Sequence, residues 1–126
     1  MSLRVLVVDD EEFILNGLRV YLEDEGMQVG GAASGEEAIQ IADRGTDYDV
    51  CIMDMRLPGM NGDTTIRALH AIRPEMRFII HTGSSDYSIP DDLRALGIGD
   101  SQLFFKPLLD MKSLAEQVFA LAGGTD

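Results

Sequence analysis

The chain has 126 residues and carries 10 Lys and Arg against 22 Asp and Glu, a formal net charge of −12. That length suits one compact domain able to bury roughly two-thirds of its unfolded surface, and 45% apolar with 25% charged residues is a globular balance that argues against disorder. The acidity argues against direct nucleic-acid binding and against docking on anionic membranes, since both are driven by an excess of Lys and Arg.

The predicted elements alternate along the chain. Arg4-Val5-Leu6-Val7-Val8 is short, β-branched and closed by acids, which predicts a buried strand. Over 11–23, Ile14, Leu18 and Leu22 recur every four positions and predict a helix with one buried stripe. Residues 27–33 form a weaker, Gly-containing strand. Ser34 followed by Glu37 is a capping-box pattern, opening a helix with Ala38, Ile41 and Ala42 inward and Gly45 at its end. Val50-Cys51-Ile52-Met53 is the next buried strand, and Asp54 ends it. A Pro58-Gly59 turn follows, then a helix over 61–73 with Ile66 and Leu69 inward, stopped by Pro74. Phe78-Ile79-Ile80 predicts a fourth strand, with Thr82-Gly83 at its end. Residues 84–89 read as loop, and Pro90 suits the first position of a short helix through Leu96, closed by Gly97. Leu103-Phe104-Phe105 is the fifth strand, ended by Lys106-Pro107. Asp110 can cap a last helix with Leu114, Val118 and Leu121 inward, before a Gly123-Gly124 tail.

Five strands alternating with five helices through short connections imply an α/β fold, a parallel sheet covered on both faces. No linker, repeat or low-complexity stretch interrupts the pattern, so 1–126 is read as one domain. Periodicity does not give the strand order. No run approaches the roughly 18 apolar residues of a membrane span, and the N-terminus lacks a signal-peptide pattern. The single cysteine, Cys51, lies in an apolar run and suits a reducing compartment, so a cytoplasmic location is expected.

In such sheets the ligand site lies beyond the carboxyl ends of the strands, where the strand order reverses. The first strand ends in Asp9-Asp10, the third in Asp54, the fourth in Thr82 and the fifth in Lys106. Alone, each has an ordinary explanation. An acidic pair favours the next helix dipole, an Asp before Pro-Gly is turn chemistry, and Lys-Pro after a strand is commonly a solvated end. Together they put three carboxylates, a hydroxyl and an ammonium at one edge. Clustered carboxylates raise one another's pKa unless a cation neutralises them. A hard divalent ion such as Mg²⁺ does so with one or two carboxylates, water and substrate oxygens. The Lys suits a phosphoryl group, the Thr hydroxyl can donate to a phosphoryl oxygen, and Gly83 leaves room beside it. A carboxylate nucleophile then gives an acyl phosphate.

The ordered set Val7-Val8-Asp9-Asp10-Glu11, Met53-Asp54-Met55-Arg56-Leu57-Pro58-Gly59-Met60-Asn61-Gly62, Thr82-Gly83 and Phe105-Lys106-Pro107 resembles the response-regulator receiver domain of two-component signalling, over essentially the whole chain. The resemblance implies a flavodoxin-like (βα)5 doubly wound sheet of order 2-1-3-4-5. It implies that Asp54 is the phospho-acceptor, served by a phosphohistidine on a sensor histidine kinase or a histidine phosphotransfer protein. Asp10 and Asp54 would ligate Mg²⁺ with the backbone carbonyl of Arg56, and Asp9 would act mostly through a bound water. Thr82 would be the switch hydroxyl and Lys106 the phosphoryl-binding cation. Such a domain is not an enzyme beyond its own phosphorylation and dephosphorylation. Its partners would be the phosphodonor and a downstream protein or output domain, with a phosphorylation-dependent homodimer as a further form. One departure stands out. Three residues before the Lys, receivers usually carry Tyr or Phe, and this chain has Leu103.

Other readings fit less well. A flavodoxin-type FMN carrier needs a Ser/Thr/Gly-rich phosphate loop where this chain has Asp9-Asp10-Glu11-Glu12, which repels phosphate without metal. A haloacid-dehalogenase-type phosphohydrolase wants an acid two residues after the nucleophile, where Arg56 stands, and a substrate-covering cap. A degenerate receiver acting only as a binding module would have lost site residues that are all present here. His70 reads as a surface or boundary residue, and His81 has no second His or Cys at transition-metal spacing. The seven Met residues read as core and turn fillers, and Glu23-Asp24-Glu25 as a solvated helix end.

Overall fold

The computed structural model describes residues 3–123. In chain order these form β1 (Arg4–Val8), α1 (Glu12–Asp24), β2 (Gln28–Ala32), α2 (Gly35–Asp43), β3 (Val50–Met53), α3 (Gly62–Ile72), β4 (Arg77–Thr82), α4 (Asp91–Ala95), a 3₁₀ turn (Asp100–Gln102), β5 (Leu103–Phe105) and α5 (Met111–Leu121). The strands make one sheet of order β2-β1-β3-β4-β5, and every neighbouring pair is parallel. This is the flavodoxin-like doubly wound sheet expected from the sequence.

The alternation of side chains along each strand builds two cores. Leu6, Val8, Cys51, Met53, Phe78 and Ile80 face one way, onto Ala38, Ala42, Ile66, Leu69 and Leu93 of α2, α3 and α4. Val5, Val7, Val50, Ile52 and Ile79 face the other, onto Leu18 and Leu22 of α1 and Leu114, Ala115 and Val118 of α5. Both faces of β1 and β3 are sealed, which is why those strands read as unbroken apolar runs. Truncating a fully buried anchor such as Leu22 or Leu69 to Ala would cost about 2–5 kcal/mol.

Side-chain caps set the helix starts. Ser34 Oγ accepts from the Glu37 N–H at 3.1 Å, and Glu37 Oε1 accepts from the Ala33 N–H at 2.8 Å. Asn61 Oδ1 accepts from the Thr64 N–H at 2.9 Å, and Asp110 Oδ1 from the Ser113 N–H at 3.1 Å. Each such cap is worth about 1 kcal/mol. Gly45 and Gly97, at φ +87° and +99°, follow α2 and α4 in the left-handed region where a side chain would be strained.

Several local expectations shift. Pro90 is the N-cap of α4 rather than its first helical residue, with ψ 151°, and α4 is only 5 residues long. The N-terminal half of β4 starts at Arg77, one residue earlier than the apolar run. The 3₁₀ turn ahead of β5 has no counterpart in the sequence pattern. It exists because Gln102, 6% exposed, donates from Nε2 to the Phe78 carbonyl at 2.8 Å and accepts from the Gly99 N–H at 2.9 Å. Ile41 and Leu121 point toward the core but are half-buried. Gly124 lies outside the described residues. No helix among the described residues is long and apolar enough to cross a membrane.

Candidate functional site

The site residues sit one step past the strands, each held by a backbone hydrogen bond that prolongs the sheet ladder. The Asp9 N–H donates to the Ala32 carbonyl at 3.0 Å, the Asp54 N–H to the Val8 carbonyl at 3.0 Å, and the Lys106 N–H to the Thr82 carbonyl at 2.8 Å. The rigid sheet thereby aims three side chains from β1, β3 and β5 at one place. Asp10, Glu11, Asp54, Arg56, Gly83 and Lys106 line a shallow cleft there of about 210 Å³.

Carboxylate oxygens of Asp9, Asp10 and Asp54 all lie within 4.8 Å of one another. Asp9 and Asp54 are buried at 2% and 4% exposure, whereas Asp10 is exposed. Lys106 Nζ faces them, 3.0 Å from Asp9 Oδ2, 3.4 Å from Asp54 Oδ2 and 3.2 Å from Glu11 Oε1. Asp9 Oδ1 accepts from the Glu11 N–H at 2.9 Å, and Asp54 Oδ1 from the Arg56 N–H at 3.3 Å. One cation thus pairs with three acids, and Asp10 stands beside them.

The electrostatics follow. Burial, and then the charge of Asp9, push the Asp54 carboxyl up to about 6 even though Lys106 and the Arg56 N–H pull it down. Burial works against the Lys106 charge, but its bonds to the surrounding carboxylates outweigh it and hold its pKa above the ordinary lysine value. An excess of buried negative charge with exposed Asp10 at its mouth is the donor set a hard divalent cation takes. The residues present fit Mg²⁺, and the Asp9, Asp10, Asp54 trio is the one such group of acids among the described residues.

Thr82 is fully buried at the end of β4, and its Oγ1 accepts from the Ser84 N–H at 3.1 Å. Next to it, Gly83 opens the cleft floor. The start of α3 lies against the backbone that follows β3, where the Gly62 N–H donates to the Met55 carbonyl at 3.1 Å. A Cβ at Gly62 would collide with the Asp54 carbonyl oxygen and stand 2.8 Å from Met55 Cα, so only glycine allows α3 to begin this close to the acid. The Lys106-Pro107 peptide is cis.

Of the sequence-predicted residues, Asp9, Asp10, Asp54 and Lys106 come together, Arg56 stands exposed at the rim, and Thr82 closes the adjoining strand end. Glu11 belongs to the strand-end motif, and its ion pair with Lys106 adds it to the site; in the sequence its one signal is its place two residues after Asp9. His81 is buried on the α1/α5 side of β4, and both ring nitrogens lack partners. Burial, and then the Lys106 charge, lower its pKa to about 4, so it stays a neutral core residue at physiological pH. His70 is half-buried in the last turn of α3.

The sequence profile of the response regulator receiver domain matches residues 5–119. The chain is 32% identical over 120 residues to the response regulator GacA of Pseudomonas aeruginosa, covering 94% of this chain and 56% of that protein. It is 33% identical over 120 residues to the sensor kinase CckA of Brucella abortus, covering 93% of this chain and 12% of that one. The chain therefore spans about half or less of the length of these curated relatives. Among solved structures it is similar to a CheY-like response regulator receiver domain protein from Methanospirillum hungatei, with TM-score 0.84, 27% identity and 98% and 96% of the two chains covered. It is also similar to the response regulator protein TrrA of Thermotoga maritima in complex with Mg²⁺ and BeF, with TM-score 0.80, 30% identity and 96% and 99% covered.

Proposed function

The chain belongs to the family of response regulator receiver domains, and on that premise we propose that Asp54 accepts a phosphoryl group from a phosphohistidine of a sensor histidine kinase or a histidine phosphotransfer protein. The observation that carries this reading is the approach of Lys106 Nζ to within 3.4 Å of Asp54 Oδ2, in a cleft where Asp9 and Asp10 supply two further carboxylates.

Asp54 is the nucleophile. A carboxylate oxygen of Asp54 attacks phosphorus and an O–P bond forms as the P–N bond breaks, and the donor ring, already protonated on its other nitrogen, takes the bond's electron pair and leaves as neutral imidazole. Lys106 balances the charge of the phosphoryl oxygens, and the Thr82 hydroxyl donates to one of them. Asp10, Asp54 and the Arg56 carbonyl would hold Mg²⁺, and Asp9 would act mostly through a bound water. Asp10 and Asp54 line the cleft whereas Asp9 does not, which supports that indirect role. When bound, Mg²⁺ would supply a second positive charge to neutralise the phosphoryl oxygens as they approach the Asp54 carboxylate. The chain's own catalysis is confined to gaining and losing this phosphoryl group, in the cytoplasm.

Phosphorylation then switches binding to a downstream protein, an attached output domain or a second copy. Leu103 is half-buried against the α3/α4 core, and an aliphatic chain cannot fill a ring's space or offer a phenolic hydrogen bond. The segment 83–97 is accordingly the reporting element.

The test is intact mass after incubation with acetyl phosphate and Mg²⁺. Wild type is expected to gain one phosphoryl group and Asp54→Asn none. Equal uptake by the variant would remove Asp54 from the nucleophile's role.

A further inference from the structure

Three hydrogen bonds run without a break from the β4 hydroxyl to α3. Thr82 Oγ1 accepts from the Ser84 N–H at 3.1 Å. The Ser84 carbonyl accepts from the Tyr87 N–H at 3.1 Å. The Tyr87 hydroxyl donates to Asp63 Oδ1 at 3.0 Å. Asp63 follows Gly62, whose N–H is bonded to the Met55 carbonyl next to Asp54. The path therefore closes a ring that starts and ends at the site, with the Tyr87–Asp63 bond as the one side-chain link across it.

The ring of Tyr87 is half-buried and packs on the same apolar cluster as Leu103. A second tie between these elements, Arg67 to Asp92 at 2.6 Å, joins side chains that are 44% and 58% exposed, and such pairs contribute little. Burial and the Asp63 bond raise the Tyr87 pKa, so its phenol remains a donor at physiological pH.

We propose that Tyr87 reports the phosphorylation state to α3, through the making and breaking of its bond to Asp63. The inference rests on the acceptor reading of Asp54. Thr82 is fully buried and does not itself line the cleft. To donate its proton to a phosphoryl oxygen in that cleft, Thr82 turns about its side-chain torsion, and its oxygen leaves the Ser84 N–H. The Ser84–Tyr87 turn loses the bond that fixes its start and rearranges, and the phenol at its end is drawn away from Asp63. The link is a two-state element biased by the site. It lies in a loop, where local opening is least costly.

The chain has three tyrosines, so fluorotyrosine labelling gives a ¹⁹F spectrum of three lines, with the Tyr87 line assigned by its loss in Tyr87→Phe. The probe is Mg²⁺ with beryllofluoride, and the Asp54 amide reports its binding. In wild type the Tyr87 line is expected to move on binding. In Asp63→Ala it should start near the bound position and move less than half as far, with Asp63→Asn in between because its amide oxygen still accepts. A stationary Tyr87 line while the Asp54 amide shifts, or an undiminished response in Asp63→Ala, overturns the relay and leaves the acceptor reading standing. A silent Asp54 amide overturns the acceptor reading and the relay with it.

Discussion

Lys106 Nζ lies 3.4 Å from Asp54 Oδ2, which means that a side chain rooted at the end of β5 reaches past β4 to the end of β3. It does so because the Lys106 backbone is bonded to the Thr82 carbonyl, and because Asp9 on the far side draws the ammonium to 3.0 Å. Removing that cation leaves the buried acids uncompensated. Lys106→Met is expected to lower stability by about 2 kcal/mol in EDTA at neutral pH, less than for a wholly buried pair. Added Mg²⁺ should recover most of the loss. Urea unfolding with and without the ion checks both, and an equal deficit in the two conditions would mean that the lysine acts through packing alone.

Asp54 makes a prediction with a definite sign. Its folded carboxyl holds a proton up to about pH 6, whereas an unfolded one releases it near pH 4. Between those values the native state binds more protons than the unfolded state, so stability falls as pH rises through that window. Above it, the ionised group costs up to about 3 kcal/mol in the metal-free chain. Asp54→Asn is expected to be more stable than wild type near neutral pH in EDTA, and to show a flatter stability profile between pH about 4 and 6. A variant that keeps the wild-type slope would assign the titration to another group.

Asp9 and Asp10 are adjacent in sequence and divided in role. Asp9 is buried and spends its oxygens on Lys106 and the Glu11 N–H, while Asp10 is exposed at the cleft. Asp10→Ala should weaken Mg²⁺ binding more than Asp9→Ala, and Asp9→Ala should cost more stability in EDTA. Calorimetric titration and urea melts on both variants decide it. Equal losses of affinity would erase the division of labour.

The features legible in the sequence are those carried by local period and by residue type at strand ends. β1 and β3 are sealed on both faces, so Val5 to Val8 and Val50 to Met53 announce themselves as runs, and the acids and lysine that follow are the first polar residues after them. The strand order came from resemblance, because nothing in an apolar run says which neighbour it pairs with. The pairings Tyr87 to Asp63, Arg67 to Asp92 and Gln102 to Phe78 span 24 or 25 residues, and no short-range pattern encodes them. Glu11 is different again. It sits within the recognised motif, yet its partner Lys106 is 95 residues away, so its position was visible and its bond was not.

The lifetime of the phosphorylated state depends on how water reaches the acyl phosphate in line with its leaving oxygen. Arg56, two residues after Asp54, lines the cleft, and Ser84, two residues after Thr82, follows the Gly83 that lines it. The Arg56 backbone is pinned by its N–H to Asp54 Oδ1 at 3.3 Å, while its side chain is exposed at the cleft rim and long enough to lie across the opening. Ser84 is half-buried, and its own N–H and carbonyl are both engaged, with Thr82 and Tyr87. Its hydroxymethyl group is too short to shield the phosphoryl group. Arg56→Ala is therefore expected to speed dephosphorylation about fivefold, which corresponds to about 1 kcal/mol of barrier. Ser84→Ala should change the rate less than about twofold. Decay of the phosphorylated mass after removal of acetyl phosphate measures both. An unchanged rate in Arg56→Ala beside a shifted rate in Ser84→Ala would transfer control of water access from the β3 side of the cleft to the β4 side.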